Sequence, residues 1–185
     1  MSEAKKISTP LTDKMVEDLK VGDTVLISGT IYTARDAAHK KLVDLLDQGK
    51  KLPFDIKGQI IYFVGPTPAK PGKPIGSAGP TSSYRMNAYS PRLIEVGQKG
   101  MIGKSEMGKE VTDAMKKFKA VYLGAVGGAG ALIAKSITAA EIVAYEELGA
   151  EAIRKLTVKD FPAVVALDCH GGNLYQEGIA KYGKK

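Results

Sequence analysis

Short apolar runs alternate along this chain with segments whose apolar residues recur every three or four positions. Four of the runs are rich in β-branched or aromatic residues and are bounded by glycine or polar residues, which is typical of buried strands. They are residues 23–28, 59–64, 120–126 and 164–168. Amphipathic spacing predicts helices over 34–48 and 108–119. This loose alternation predicts an α/β domain of two or three layers with mixed sheets.

The remaining segments give weaker signals. Residues 1–20 resemble a lead-in segment, and residues 82–92 predict a helix that Pro91 limits. A glycine turn at 127–130 precedes a helix of small residues that ends at Ile137. Over 138–145, a helix capping box and a β-branched strand pattern compete, and the sequence leaves both alternatives open.

The segment 65–80 differs from the rest of the chain in composition. It holds five of the nine prolines and four glycines. Proline excludes both a regular helix and a central strand here. A flexible linker is one interpretation, but prolines stiffen the backbone and long loops inside compact domains tend to be functional. We therefore expect an ordered loop at a functional site.

Composition limits the classes of function. The length of 185 residues is that of one ordinary domain, so we expect a single domain over 1–185. No apolar run is long enough to cross a membrane, and the absence of a signal-like stretch predicts a cytoplasmic protein. The net charge of +7 comes from scattered lysines, and the chain has no Trp, which argues against nucleic-acid binding.

The chain has only four arginines, and most of its basic residues are lysines. Two of them, Arg35 and Arg85, lie in or beside glycine-containing, hydroxyl-rich segments that we expect to form turns, over 28–36 and 79–85. A guanidinium group grips a carboxylate through two parallel hydrogen bonds, which an ammonium group does not do. Two such groups beside hydroxyls and exposed amides predict a site for a small dianionic acid.

Three other features have a functional and a structural interpretation. His39 follows Arg35 by four residues, so the two share a helix face, and both a buried structural role and a ligand-facing role are open. Cys169 and His170 resemble a nucleophile and base, but adjacent strand residues face opposite sides, which favours a structural role. The 127–130 turn lacks the register of a dinucleotide loop, so tight packing is favoured.

Several motifs together resemble the C-terminal domain of the class I fumarate hydratase family, which is a separate beta subunit in two-subunit members. The same family includes L-tartrate dehydratase beta subunits. The resemblance covers residues from about 10 to 180, and its specific part is the block Gly65–Met86. The motifs that carry it are Ser28-Gly29-Thr30, Ala34–His39, Gly65–Met86 and Gly103-Lys104.

The resemblance implies a swivelling β/β/α domain that closes over a [4Fe-4S] cluster held by three cysteines of a partner alpha subunit. This chain would hold no metal, because a lone cysteine cannot hold such a cluster. By the same resemblance, Arg35 and Arg85 clamp the substrate carboxylates, Lys104 adds a third cation, and Thr81 takes a proton from the adjacent carbon. His39 and Gly29, from the first motifs, complete the expected substrate contacts.

The expected function is thus reversible hydration of fumarate to L-malate by a hetero-oligomer of the α2β2 type. L-tartrate dehydration is the first alternative, and a non-catalytic module that binds anions or nucleic acid is the second. A hydroxyl is a poor base unless a neighbour accepts its proton, so a carboxylate from the alpha subunit is expected beside Thr81. The chain departs from the family pattern at Ser82, Asn87 and Ser105, where Thr, Asp and Gly are usual.

Overall fold

The computed structural model describes residues 3–183. Over this range the chain forms seven strands in one sheet, six α-helices and three short 3-10 helices. The strands are β1 (Lys5–Ser8), β2 (Thr24–Thr33), β3 (Ile60–Tyr62), β4 (Gly100–Gly103), β5 (Val121–Gly124), β6 (Ile137–Ala144) and β7 (Ile153–Leu167). The α-helices are α1 (Asp13–Glu17), α2 (Asp36–Asp47), α3 (Ser90–Glu95), α4 (Lys109–Phe118), α5 (Gly130–Ile133) and α6 (Leu174–Tyr182). The 3-10 helices are Ser83–Met86, Ala134–Ser136 and Glu146–Glu151.

The strands pair in both directions, so the predicted α/β class with a mixed sheet is confirmed. Strands β2, β3, β4 and β5 are parallel neighbours. The long strand β7 runs antiparallel to both β2 and β5 and so closes these five strands into a ring. Strand β1 adds to β2 in parallel, and β6 adds to β7 in antiparallel fashion.

Alternate residues of the ring strands face two separate cores, as the period of two in a strand requires. In and beside β3, Ile60, Tyr62 and Val64 belong to one core, whereas Ile61 and Phe63 belong to the other. The first core includes side chains of α1 and α5. The second lies beneath α2, α3 and α4. Because β3 is buried on both faces, its sequence is continuously apolar rather than alternating.

Strand β2 is longer than predicted, and this corrects the turn that we expected over 28–36. Gly29 has a φ of +115° and sits at a bulge where the register with β7 shifts. The hydroxyl of Thr9 accepts a hydrogen bond from the backbone N–H of Thr30, at 2.7 Å. The bulge lets the strand continue to Thr33, so the hydroxyl-rich segment is extended backbone rather than a turn.

Two other predictions needed correction, and one segment that the sequence left open is now assigned. The helix expected over 82–92 is divided into a 3-10 helix and α3, because the fixed φ of Pro91 suits a first helical turn better than a last one. The open segment 138–145 is strand β6. The helix after the glycine turn keeps α-helical geometry only over Gly130–Ile133.

Residues 3–20 are part of the packed structure. They contribute β1 and α1, and Val16 and Leu19 are buried in the first core. Residues 1–2 of the predicted lead-in segment, and 184–185 of the predicted domain, lie outside the described residues. Between residues 3 and 183, no helix is both long enough and apolar enough to cross a membrane.

Candidate functional site

The candidate site lies where the parallel strands β2, β3 and β4 reach their carboxyl ends. Arg35 follows β2 by two residues, and Lys104 follows β4 directly. The N–H of Thr81 donates to Phe63 O at 2.8 Å, and that of Ser83 donates to Lys104 O at 3.0 Å. The segment that leads to Arg85 is therefore anchored beside the ends of β3 and β4. Ligands commonly bind at this edge of a sheet. We call Arg35, Thr81, Arg85 and Lys104 the cationic site.

Arg35 is held by carboxylates on two sides. Its backbone is extended where α2 begins, and its side chain is only 22% exposed. Nη2 lies 3.2 Å from Glu151 Oε1, and Nε lies 3.6 Å from Asp36 Oδ1. A Cβ at position 65 would lie 3.2 Å from Nη1, so Gly65 leaves room for the guanidinium group. The side chain is thus fixed at the sheet edge.

Arg85 approaches the same carboxylate from the other side. Its Nη1 lies 3.7 Å from Asp36 Oδ2, and the side chain is 44% exposed. The guanidinium group of Arg85 donates a hydrogen bond to the phenol oxygen of Tyr84, and this bond, together with the charge of Asp36, raises the pKa of Arg85. Asp36 therefore lies between two guanidinium groups and sets their spacing.

Two buried atoms near this carboxylate are left without hydrogen bonds. Arg35 Nε and Asp36 Oδ1 have no hydrogen-bond partner among residues 3–183. Buried polar atoms are nearly always paired, and an unpaired one is costly. The two atoms face each other at 3.6 Å, which is an ion-pair distance but too long for a hydrogen bond.

Lys104 and Thr81 are connected through a buried tyrosine. The hydroxyl of Tyr122 donates to Ser105 O at 2.8 Å and lies 2.8 Å from Ser83 Oγ. It thus joins the residue after Lys104 to the segment that carries Thr81. Ser105 has a φ of +66°, in the left-handed region that glycine adopts most readily.

His39 lies beneath the site rather than in it. The ring is completely buried, with Nδ1 3.0 Å from Arg35 O and its edge against Phe63. Burial lowers the pKa of His39 to about 4, so the ring is neutral at pH 7. A substrate contact requires an accessible ring, so the structure supports the structural interpretation and corrects the expected contact.

Gly29 is also separated from the arginines. It lies inside β2, six residues before Arg35, which is ~20 Å along an extended strand. A Cβ there would approach Thr9 Oγ1 to 2.5 Å, so glycine is needed for close packing. The structure does not bring Gly29 to the cationic site, and the turn on which that expectation rested is absent from β2.

Cys169 and His170 have structural partners. Cys169 is buried, and burial raises the pKa of its thiol. The ring of His170 bonds to Glu17 O at 2.9 Å. The carboxylate of Asp168 accepts hydrogen bonds from the backbone of Val21, His170 and Gly172. Over residues 3–183, no group of three or more His, Cys, Asp or Glu side chains is arranged to hold a metal ion.

The glycine turn and the proline-rich segment pack against each other. A Cβ on Gly130 would lie 2.5 Å from Ser77 Oγ and 2.8 Å from Gly79 N. Ala78 N donates to Gly130 O at 3.1 Å, and the hydroxyl of Tyr62 donates to Ala78 O. These contacts favour the packing interpretation of the turn, and they fold 65–80 into a compact loop rather than a free linker.

Sequence reasoning missed two acidic residues of the site. Asp36 has a local signal, because it follows Arg35 in the first turn of a helix, where acidic residues are favoured. Glu151 has none, because it is 116 residues from Arg35 in the chain and comes close only when β7 pairs with β2.

Two kinds of known protein are similar to this chain over most of its length. The L(+)-tartrate dehydratase subunit beta of Escherichia coli is 35% identical over 178 residues, which are 94% of this chain and 87% of that protein. The anaerobic class I fumarate hydratase of Escherichia coli is 43% identical over 163 residues, and fumarate hydratase 2 of Leishmania major is 39% identical over 173. These matches cover 87% and 91% of this chain.

The two kinds of relative differ in length. The chain spans 30% of each of these two fumarate hydratases, but most of the tartrate dehydratase subunit. Residues 2–178 match the family described as Fumarase C-terminus, which confirms the resemblance drawn from the motifs. This chain belongs to the Fumarase C-terminus family.

Proposed function

We propose that this chain is the beta subunit of a hydro-lyase that reversibly hydrates fumarate to L-malate. The observation that carries the proposal is the arrangement of Arg35 and Arg85 on either side of Asp36, at the sheet edge that also holds Thr81 and Lys104. Two guanidinium groups match the two carboxylates of a four-carbon diacid. The family relationship supports the same class of reaction.

In this proposal, Arg35 and Arg85 bind one carboxylate each and hold the carbon chain between them. Lys104 adds positive charge, which stabilises the dianion and the negative charge that develops when a C–H bond breaks beside a carboxylate.

Thr81 is the proposed proton carrier. In dehydration its hydroxyl oxygen takes a proton from the carbon next to a carboxylate, and the hydroxide leaves the neighbouring carbon with its electron pair. Hydration reverses both steps. A threonine hydroxyl is a poor base unless a neighbour accepts its proton, so the proposal includes a carboxylate of a second subunit as the group that accepts this proton.

We assign the [4Fe-4S] cluster to a separate alpha subunit. When bound, the cluster supplies a Lewis-acidic iron for the departing hydroxyl group. The one cysteine of this chain suits a structural role better than ligation, because its thiol is buried and burial raises its pKa. The beta-subunit relative supports a partner subunit. The proposal includes assembly as an α2β2-type hetero-oligomer in the cytoplasm.

L-tartrate dehydration is the second candidate, and one observation favours it. The relative that this chain covers along most of its length is an L(+)-tartrate dehydratase subunit beta, whereas the fumarate hydratases are much longer. Tartrate differs from malate by one hydroxyl group, and a single polar contact suffices to select it.

The test is anaerobic co-expression with the cluster-bearing subunit, followed by assays of fumarate hydration and L-tartrate dehydration. Fumarate turnover that requires both chains supports the proposal. Turnover of tartrate alone assigns the second substrate to the same residues. Turnover of neither substrate by a complex with an intact cluster overturns both, and binding that weakens steeply with salt then supports a non-catalytic anion- or nucleic-acid-binding module.

A further inference from the structure

Glu151 makes two contacts at the start of helix α2. Its Oε1 lies 3.2 Å from Arg35 Nη2, and its Oε2 accepts a hydrogen bond from the N–H of Ala37 at 3.1 Å. One carboxylate therefore binds both the side chain of Arg35 and a free amide of the first helical turn. An acidic group is favoured there by the helix dipole. Glu151 comes from the turn between β6 and β7, so it connects distant parts of the chain.

The turn that carries Glu151 is itself held in place. The guanidinium group of Arg154 donates to the carbonyl oxygens of Gly149, Ala150 and Ala152 at 2.9 to 3.1 Å. The hydroxyl of Thr33 donates to Ala152 O at 3.2 Å and accepts from Arg154 N at 2.9 Å. Arg154, an arginine to which the sequence assigns no role, thus fixes the backbone on both sides of Glu151.

The ion pair between Arg35 and Glu151 is partly buried, so it can restrict the motion of the Arg35 side chain. The side chains of Arg35 and Glu151 are only 22% and 25% exposed. A partly buried ion pair is less screened by salt than a surface pair. A guanidinium group has five donors, so a contact at Nη2 leaves the Nη1 end, beside Gly65, for a substrate carboxylate.

We propose that Glu151 is the positioning residue of Arg35: it holds the guanidinium group in the orientation that grips a substrate carboxylate. Glu151 does not touch the substrate in this proposal. The inference rests on the proposed function, because it assigns Arg35 to substrate binding. It adds that the carboxylate which orients Arg35 comes from the β6–β7 turn.

The variant Glu151→Gln separates orientation from helix capping. Its side-chain oxygen still accepts from Ala37 N, but the charge that holds Arg35 is lost. The matched control is Glu147→Gln, because Glu147 lies on the same 3-10 helix and pairs with Lys41 at 3.0 Å, away from Arg35. Both changes remove one negative charge from the same turn.

In the reconstituted enzyme, we expect Glu151→Gln to lower kcat/KM by roughly 10- to 100-fold, since small misplacements of a binding group cost about that much. Glu147→Gln should stay within about 2-fold of wild type, as surface changes do. If the wild-type complex is active and the two variants behave alike, the proposal is overturned. If wild type turns over neither fumarate nor tartrate, the proposed function fails instead.

A second measurement does not depend on turnover. Nuclear magnetic resonance of the Arg35 Nε–H group in the full chain reports how rigidly the side chain is held. We expect Glu151→Gln to increase the mobility of this group while Glu147→Gln leaves it unchanged. Equal mobility in all three proteins would overturn the positioning role, whatever the enzyme assay shows.

Discussion

The guanidinium group of Arg85 lies 3.7 Å from the carboxylate of Asp36, the residue that follows Arg35. Asp36 belongs to the first turn of α2, whereas Arg85 comes from a 3-10 helix 49 positions later. The contact brings together the two arginines that the sequence singles out. It also places a negative charge between them, so they do not repel each other before a substrate dianion binds.

The first prediction concerns the clamp. We expect Arg85→Lys to lower kcat/KM by roughly 10- to 100-fold, because an ammonium group cannot make two parallel hydrogen bonds to a carboxylate. Steady-state kinetics of the reconstituted enzyme measure the effect, and circular dichroism checks the fold. The control is Arg92→Lys on α3, whose arginine pairs with Glu95 and Asp47. Equal kinetics for Arg85→Lys and wild type would remove Arg85 from the clamp.

The second prediction concerns proton transfer. Thr81→Val keeps the shape of the side chain but removes the hydroxyl group, so kcat should fall by about 10²- to 10⁴-fold while KM changes little. The backbone bond from Thr81 to Phe63 O is preserved in this variant. Thr138→Val is the control, because the hydroxyl of Thr138 on β6 donates to Thr157 O on β7. Turnover at the wild-type rate would exclude Thr81 as the proton carrier.

The third prediction is a pH dependence of stability. Burial lowers the pKa of His39 from 6.5 to about 4, so the unfolded chain binds this proton more readily than the folded chain does. The stabilisation is present above pH 6.5 and is lost progressively as the pH falls towards about 4. The free energy of unfolding should decrease by roughly 3 kcal/mol over this window, from this residue.

Urea unfolding between pH 7 and pH 4 measures this dependence, and the variant His39→Gln provides the comparison. Because glutamine does not titrate, the difference in unfolding free energy between the two proteins should change with pH by the His39 contribution. A difference that is constant over the whole range would show that His39 is not buried in its neutral form.

The fourth prediction tests the tyrosine that joins two parts of the site. Tyr122→Phe removes the hydroxyl between Ser83 and Ser105 and leaves Ser105 O without its donor. We expect a loss of about 2 kcal/mol in the free energy of unfolding, as for other buried groups left unpaired. Tyr182→Phe, on an exposed ring of α6, should be neutral. Equal stability of both variants in denaturant titration would contradict this role.

The sequence predicted the strands whose residues are apolar on both faces. Strands β3 and β5 were found because each buries both faces and so forms a continuous apolar run. Strand β7 was predicted only over its last residues, since its first half alternates with Lys, Asp and Pro at exposed positions. Strand β4 was missed because glycines bound its two apolar residues.

The residues of the candidate site also differ in how clearly the sequence indicates them. The local signals at Arg35 and Arg85, and the family motif that contains Lys104, led to residues that the fold places at one sheet edge. His39 and Gly29 share those motifs but support the site from the core and from within a strand, which motif membership alone does not distinguish. Glu151 depends on strand pairing across most of the chain, and no local pattern reports such a contact.

The central claim is that this chain supplies the carboxylate-binding half of a site that a cluster-bearing subunit completes. The direct test adds increasing amounts of this chain to that subunit under anaerobic conditions and follows fumarate consumption. The rate should rise and then saturate with the wild-type chain. It should stay near zero with an Arg35→Ala, Arg85→Ala variant that still co-purifies with the subunit. Full activity of the cluster-bearing subunit alone, or of the complex with this variant, would contradict the claim.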